Sequence, residues 1–253
     1  MDLKLKGKKA IVTGASRGIG LAIAEALAAE GAEVAICARG QAGVDAAVAR
    51  IGGKAFGAAV DIADGPALKA WVTSAAQQIG GLDVLVANAS ALTRGASEDD
   101  WQRMFEVDLM GAVRALEAAR PFLEKAAAEK GDAAFVITSS VSAAETSAPS
   151  AYGAIKAALI HFAKGVAREG APKHLRCNVV SPGTVLFDGG VWGVTRDRAP
   201  DFFKMMLDRN PTGRMATPQE IAAAAVFLAS PVSAFTTGIN MVVDGGITQR
   251  ANF

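Results

Sequence analysis

The chain of 253 residues has little of what marks several large protein classes. Only two cysteines occur, Cys37 and Cys177, and both lie in apolar runs that read as strands. Buried thiols are therefore expected rather than a disulfide framework. No His, Cys and Asp residues share metal-ligand spacing, so no catalytic metal is expected. The two histidines, His161 and His174, fall outside every motif. Charge of one sign is not in excess: 26 Lys and Arg face 25 Asp and Glu, a net of +1. With no basic run, a nucleic-acid partner has no electrostatic support. No apolar stretch reaches the ~18 residues that span a bilayer, and the charged residues 1–9 lead into no signal-peptide core. These absences point to a soluble, cytoplasmic protein without a membrane partner. What is present is a composition 51% hydrophobic and 20% charged, enough for a sizeable core.

Short continuous apolar runs at 10–12, 34–37, 55–60, 82–86, 133–138, 175–180 and 239–243 read as strands. Helical spacing follows most of them: Ile19, Ala22, Ile23, Ala26 and Leu27, then 41–51, 67–79, 99–119 and 221–229. Strands that are apolar throughout, alternating with helices, argue a parallel sheet covered on both faces. Connections are short, and no linker or repeat divides the chain. The expectation is one α/β domain over 1–253, a Rossmann-like doubly wound parallel sheet of about seven strands with helices on both faces. The exception is 184–217, a long segment with a short helix-like piece near 201–208 and no strand, as expected of a substrate lid.

Three stretches carry chemistry. The first, Thr13-Gly14-Ala15-Ser16-Arg17-Gly18-Ile19-Gly20, joins the first strand to the first helix. Glycines there let backbone approach a pyrophosphate, and a helix N-terminus supplies amides. The second is the end of the second strand, Cys37-Ala38-Arg39, which lacks the acid that would hold the ribose 2′-hydroxyl of NAD. Arg39, with Arg17 nearby, suits a 2′-phosphate, favouring NADP(H) over NAD(H). The third is Ala151-Tyr152-Gly153-Ala154-Ile155-Lys156, which puts a phenol and an ammonium on one helix face. Ser150 is a candidate N-cap, placing Tyr152 in the first turn. An ammonium beside a phenol stabilises the phenolate, so the pair can trade a proton near neutral pH.

Together these pieces resemble the short-chain dehydrogenase/reductase family, in its branch of about 250 residues, over nearly the whole chain. Thr13 to Gly20 matches its glycine motif. Asp61-Ile62 matches its adenine-contacting pair, and Asn88-Ala89 its Asn-Ala after the fourth strand. Ser139-Ser140, Tyr152 and Lys156 match its catalytic set, Ser181-Pro182-Gly183-Thr184 its Pro-Gly segment, and Thr237-Gly238 and Asp244-Gly245-Gly246 its last strand. The resemblance implies that Tyr152 is the general acid/base and that Lys156 tunes it and binds the nicotinamide ribose. It implies that a serine holds the substrate oxygen: Ser140 by its place before Val141, or Ser139 by its distance from Tyr152, with Ser140 preferred. The implied cofactor-binding set is Gly14, Ser16, Arg17, Gly18, Ile19, Gly20, Arg39, Asp61, Ile62, Asn88, Ala89, Tyr152, Lys156, Pro182, Gly183 and Thr184. The implied assembly is a homotetramer, or a homodimer.

The chain departs from the family pattern in places. Asp108 stands where the family has an asparagine that helps hold a proton-relay water, keeping an acceptor but adding charge near Lys156. Ser90 replaces a glycine, and Ile155 a serine, the latter expected as a packing change. Thr184 is the candidate for a missing threonine that meets the carboxamide. The lid residues Phe187, Trp192, Phe202, Phe203, Met205 and Met206 suit either a bulky apolar substrate or packing. Arg196, Arg198, Arg209 and Arg214 could receive an acidic group, but read rather as a solvated rim. The expectation is an NADP(H)-dependent oxidoreductase interconverting a ketone and a secondary alcohol. Its alternatives are a non-catalytic dinucleotide-sensing or scaffold protein and an enone or quinone reductase on the same fold.

Overall fold

The computed structural model describes residues 1–93, 95–146, 148–249 and 251. The apolar runs form β1 (Lys9–Thr13), β2 (Glu33–Ala38), β3 (Phe56–Ala59), β4 (Val84–Ala87), β5 (Ala133–Thr138), β6 (Leu175–Pro182) and β7 (Asn240–Val243). The helices are α1 (Gly18–Ala29), α2 (Gln41–Ile51), α3 (Gly65–Gln78), α4 (Glu98–Met104), α5 (Gly111–Lys130), α6 (Ala151–Gly170), α7 (Val191–Arg198), α8 (Pro200–Asp208) and α9 (Pro218–Ala229). All seven strands are parallel, in the order β3-β2-β1-β4-β5-β6-β7. Successive residues of each apolar strand point to opposite faces. Ile11, Leu85 and Phe135 join one core with α3, α5 and α6. Val12, Val86 and Val136 join the other with α1, α2 and α9. This is the doubly wound sheet that the apolar runs predict.

Val12 of β1 pairs with Ile36 of β2 on one side and Val86 of β4 on the other. Strand order therefore reverses at β1, and the crevice at its C-terminal end is where such sheets bind ligands. Both cysteines are free and buried. Burial pushes the Cys37 thiol up to about 12, so it behaves as a small hydrophobe. Among the described residues no helix is long and apolar enough to cross a membrane.

Two segments differ from expectation. The helix expected over 99–119 starts at Glu98 and continues as α4, a π-helical stretch Phe105–Met110, and α5 to Lys130. It passes through Pro121, which is exposed, because Ala119, Leu123 and Ala126 keep their buried face beyond it. Gly131, in the left-handed region at φ 76°, ends it. The second is 184–217, where α7 precedes the expected α8. Gly193, Val194 and Thr195 give α7 weak intrinsic preference. Tertiary packing supplies the rest: Trp192 stacks on Phe202 of α8 with ring centroids 6.1 Å apart.

One buried charge holds the far end of this frame. Arg176 of β6 sits inside a run read from sequence as apolar, yet its donors are satisfied. Nε and Nη2 donate to Asp132 at 2.6 and 3.1 Å, and Nη1 to the Leu228 carbonyl at 2.6 Å and the Ser233 hydroxyl at 2.9 Å. Nη2 also reaches the Ser230 carbonyl at 3.0 Å. The guanidinium thus binds the last carbonyls of α9 to the strand that carries Pro182 and Gly183. Arg176→Met leaves Asp132 without its counterion and should lower unfolding free energy by about 3–5 kcal/mol, read by denaturant melts. A loss under ~1 kcal/mol would contradict this account.

Candidate active site

A cleft of about 550 Å³ opens at the C-terminal ends of β1, β4, β5 and β6. On its β1 side lie Gly14, Ser16, Arg17, Ile19 and Gly20, with Arg39 from the end of β2 and Asp61 and Ile62 from the end of β3. Gly14 is left-handed at φ 68°, and a Cβ there would fall 2.6 Å from the Ala89 Cα. A Cβ on Gly20 would collide with the Asn88 amide and the Gly14 carbonyl. Backbone is thus pressed against backbone, and α1 starts with neither a side-chain cap nor an acid in its first turn. Uncapped amides, a side-chain-free loop and two arginines fit a pyrophosphate-bearing dinucleotide. Gly18 faces elsewhere: its missing side chain makes room for the Phe187 ring, 2.5 Å from the ideal Cβ position.

Asn88 borders the cleft, but its amide ties the frame together. Nδ2 donates to the Thr13 and Gly14 carbonyls at 3.3 and 3.1 Å, and Oδ1 accepts from the Thr138 hydroxyl at 3.2 Å. Ala89, Pro182 and Gly183 line the cleft beside it. Thr184 does not: its hydroxyl donates to Asn210 Oδ1 at 3.1 Å, away from the cleft wall. Arg17 reaches over to the lid, where Nη1 donates to the Gly189 carbonyl at 3.1 Å.

Tyr152, the single tyrosine of the chain, and Lys156 line the centre of the cleft. Ser150 has the extended backbone of an N-cap without a side-chain capping bond. Lys156 is 2% exposed, and its Nζ lies 5.6 Å from the Tyr152 ring centroid. Nζ donates to the Thr138 carbonyl at 3.0 Å and sits 3.0 Å from Asp108 Oδ1. Asp108 is itself buried in the π-helical stretch, and its Oδ2 accepts from the Ala91 N–H at 2.8 Å. Oδ1 is close to the ammonium but misaligned for a hydrogen bond. The added charge foreseen at position 108 is therefore in direct contact with Lys156. Burial pulls the Lys156 ammonium down, but the charges of Asp108 and Tyr152 outweigh it and the net shift is upward.

The two serines occupy different settings. Ser139 is buried, with its hydroxyl donating to the Lys156 carbonyl at 2.9 Å. Ser140 borders the cleft at the start of a short 3₁₀ turn, and its Oγ accepts from the Ser142 N–H at 3.1 Å. Ile155 packs with Met104 and Ala151. Of the lid apolar residues, Phe187 and Trp192 reach the cleft. The lid arginines do not: Arg196 pairs with Asp188 and Asp197, and Arg214 with Glu220. Both histidines are exposed and away from it. Sequence reasoning missed Leu92, Arg103, Val107 and Val191, which also line the cleft. Their neighbours in sequence carry no motif that marks them; the cleft alone brings them together.

The profile of the family described as enoyl-(acyl carrier protein) reductase matches residues 14–248. Isoepoxydon dehydrogenase of Penicillium expansum is 36% identical over 98% of both chains. The chain belongs to the short-chain dehydrogenase/reductase family. Similar relatives of this family include D-threitol dehydrogenase of Mycolicibacterium smegmatis, 35% identical over 98% of this chain and 96% of that one. Another is the 3-oxoacyl-[acyl-carrier-protein] reductase of Escherichia coli, 34% identical over 97% and 99%. Among solved structures, L-sorbose reductase from Gluconobacter frateurii, complexed with NADPH and L-sorbose, superposes with a TM-score of 0.89. It is 31% identical, over 99% of this chain and all of that one. As a short-chain dehydrogenase/reductase the protein is an oxidoreductase that uses a nicotinamide dinucleotide on a small-molecule substrate.

The Lys156–Asp108 pair gives a pH prediction with a defined sign. A folded-state lysine value above the ordinary 10.5 contributes stability that is full below the ordinary value and lost as pH rises through the raised one. In Asp108→Asn burial dominates, so the ammonium loses its proton at lower pH. The alkaline fall of kcat/KM should therefore move to lower pH. An unmoved alkaline limb would show that Asp108 does not hold the charge.

Proposed function

We propose that the protein is an NADP(H)-dependent oxidoreductase that interconverts a ketone and a secondary alcohol on an apolar, bulky substrate. The observation that carries this is the Tyr152–Lys156–Asp108 cluster on the cleft wall. A lysine whose charge is fixed by a buried carboxylate stands beside the one phenol of the chain, with the phenol reaching the open cleft. When bound, the nicotinamide supplies or accepts the hydride. The chain must then move the proton. Tyr152 gives it to the carbonyl oxygen in reduction, or takes it from the alcohol in oxidation. Lys156 sets a permanent positive charge beside that hydroxyl. Ser140 positions the substrate oxygen. Both serines line the cleft, but the Ser139 hydroxyl donates to the Lys156 carbonyl, whereas Ser140 Oγ accepts from the Ser142 N–H and keeps its own proton to donate.

The glycine loop, Arg17 and Arg39 would hold the adenosine and phosphate end, with Asp61 and Ile62 at the adenine and Pro182 and Gly183 at the nicotinamide. Preference for NADP(H) rests on charge. Arg39 follows β2 where an acid would select NAD, and Asp61, the acid among the described cleft residues, follows the neighbouring strand β3 and forms no salt bridge with it. The walls of the substrate half, Leu92, Val107, Phe187, Val191 and Trp192, favour an apolar body. We take 184–217 as the lid of a chain that works as one domain. A homotetramer or homodimer is proposed as well, supported by half-exposed Trp101 and Phe105 on the long helix; light scattering after size exclusion tests it.

Tyr152→Phe should keep dinucleotide binding and lower kcat by at least about a thousandfold, read by absorbance of the reduced nicotinamide over a panel of ketones. Retained turnover would defeat the proposed proton transfer, and saturation of a carbon–carbon double bond in the product would replace the ketone by an enone. Arg39→Asp should invert the ratio of kcat/KM for NADPH over NADH from above one to below one. An undiminished NADPH preference would refute the role given to Arg39.

A further inference from the structure

The cations of the cleft are unevenly engaged. Arg17 and Arg39 stand at the glycine-loop end, and Lys156 at the centre is neutralised by Asp108. The substrate half contains one more charged side chain, Arg103 of α4, which lines the cleft with Leu92, Val107 and Trp192. Its helical neighbours three positions away are committed elsewhere. Asp100 accepts from Ser97 in the capping box of α4, and Glu106 binds Arg114 at 2.7 Å. Arg103 enters no salt bridge among the described residues. Asp61, the acid that lines the cleft, belongs to the opposite end, past β3. Arg103 is exposed at the cleft rim, where its planar fork is open to an anion entering the cleft.

We propose that the substrate is an oxo acid, or the matching hydroxy acid, whose carboxylate is held by Arg103 while its carbonyl oxygen meets Tyr152. This rests on the oxidoreductase function proposed above and names its substrate class. Arg103 and Tyr152 line the same cleft, so one substrate can meet both, with its apolar remainder against Trp192. A neutral analogue forgoes the charge-assisted contact and leaves the guanidinium to solvent, so the acid is preferred.

The test uses the intact protein loaded with NADP⁺, and 3-benzoylpropanoate against its methyl ester as probes. Calorimetry should give the acid about tenfold tighter binding than the ester. In Arg103→Gln that ratio should collapse to about one, while Arg103→Lys, which keeps the charge but not the fork, should retain part of it. Equal binding of acid and ester to the unmodified protein overturns the assignment, as does a ratio that survives in Arg103→Gln. Turnover separates the two proposals. Reduction of neutral ketones with acid and ester bound alike removes the role of Arg103 alone. Arg103-dependent binding of the acid, with no ketone reduced, removes the proposed reaction and leaves the carboxylate site standing.

Discussion

The site depends on an ammonium kept charged where burial would otherwise discharge it. Lys156 is almost completely enclosed, and desolvation of that kind favours the neutral amine. The charge of the Asp108 carboxylate delivered by the long helix opposes it first, then that of Tyr152, while the Thr138 carbonyl at the end of β5 accepts one ammonium proton. The carboxylate stays in register because the helix loosens to π spacing over Phe105–Met110, a distortion that tends to accompany function. Its other oxygen receives the Ala91 N–H from the loop after β4. One side chain therefore joins β4, the long helix and α6 around a single positive charge. An amide at 108 would supply dipoles; a carboxylate supplies a full opposite charge, so the centre is nearly neutral as a unit.

The lid is tied to the same frame from the other side. Phe187 occupies the space left by Gly18, and Arg17 holds the Gly189 carbonyl. The start of the segment 184–217 and the glycine loop thus share contacts through the Arg17 bond and the Phe187 ring. Trp192, stacked on Phe202, passes the same constraint along α7 to α8.

Much of this was legible in the sequence because its signals are local. Continuous apolar runs specify a buried parallel strand wherever they occur, and β5 and α2 have the bounds that spacing predicts. The glycine loop and the Tyr-Lys pair are likewise short patterns whose meaning depends on adjacent residues. What stayed hidden depends on residues far apart. Arg176 looked like an interruption of an apolar strand until Asp132 and the end of α9 closed around it. Thr184 matched by position, yet Asn210, twenty-six residues on, takes its hydroxyl. α7 carries no strong propensity and exists through its packing. Arg103 needed the cleft itself, since nothing in its neighbours marks a residue that faces a ligand.

The departures from the family pattern are connected to each other. Ser90, in place of glycine, has no positive φ; the left-handed residue is Leu92 at φ 57°, which lies in the cleft wall and is half-exposed. A branched-chain residue in that region is strained by roughly 1–2 kcal/mol and persists only where its surroundings fix it. Here they do: the Ser90 hydroxyl accepts from the Leu92 N–H at 3.2 Å, and Asp108 holds the intervening Ala91 N–H. The side chain of Ser90 and the charge at 108 thus act on the same three residues. They shape the cleft wall at Leu92, while the glycine loop and Asn88 keep the residues of the family pattern. Altered residues that support one another across two elements argue for a reshaped substrate half rather than a decaying site. On that ground the cluster around Lys156 is better read as machinery adapted to its own substrate than as the remnant of a protein that only binds a nucleotide.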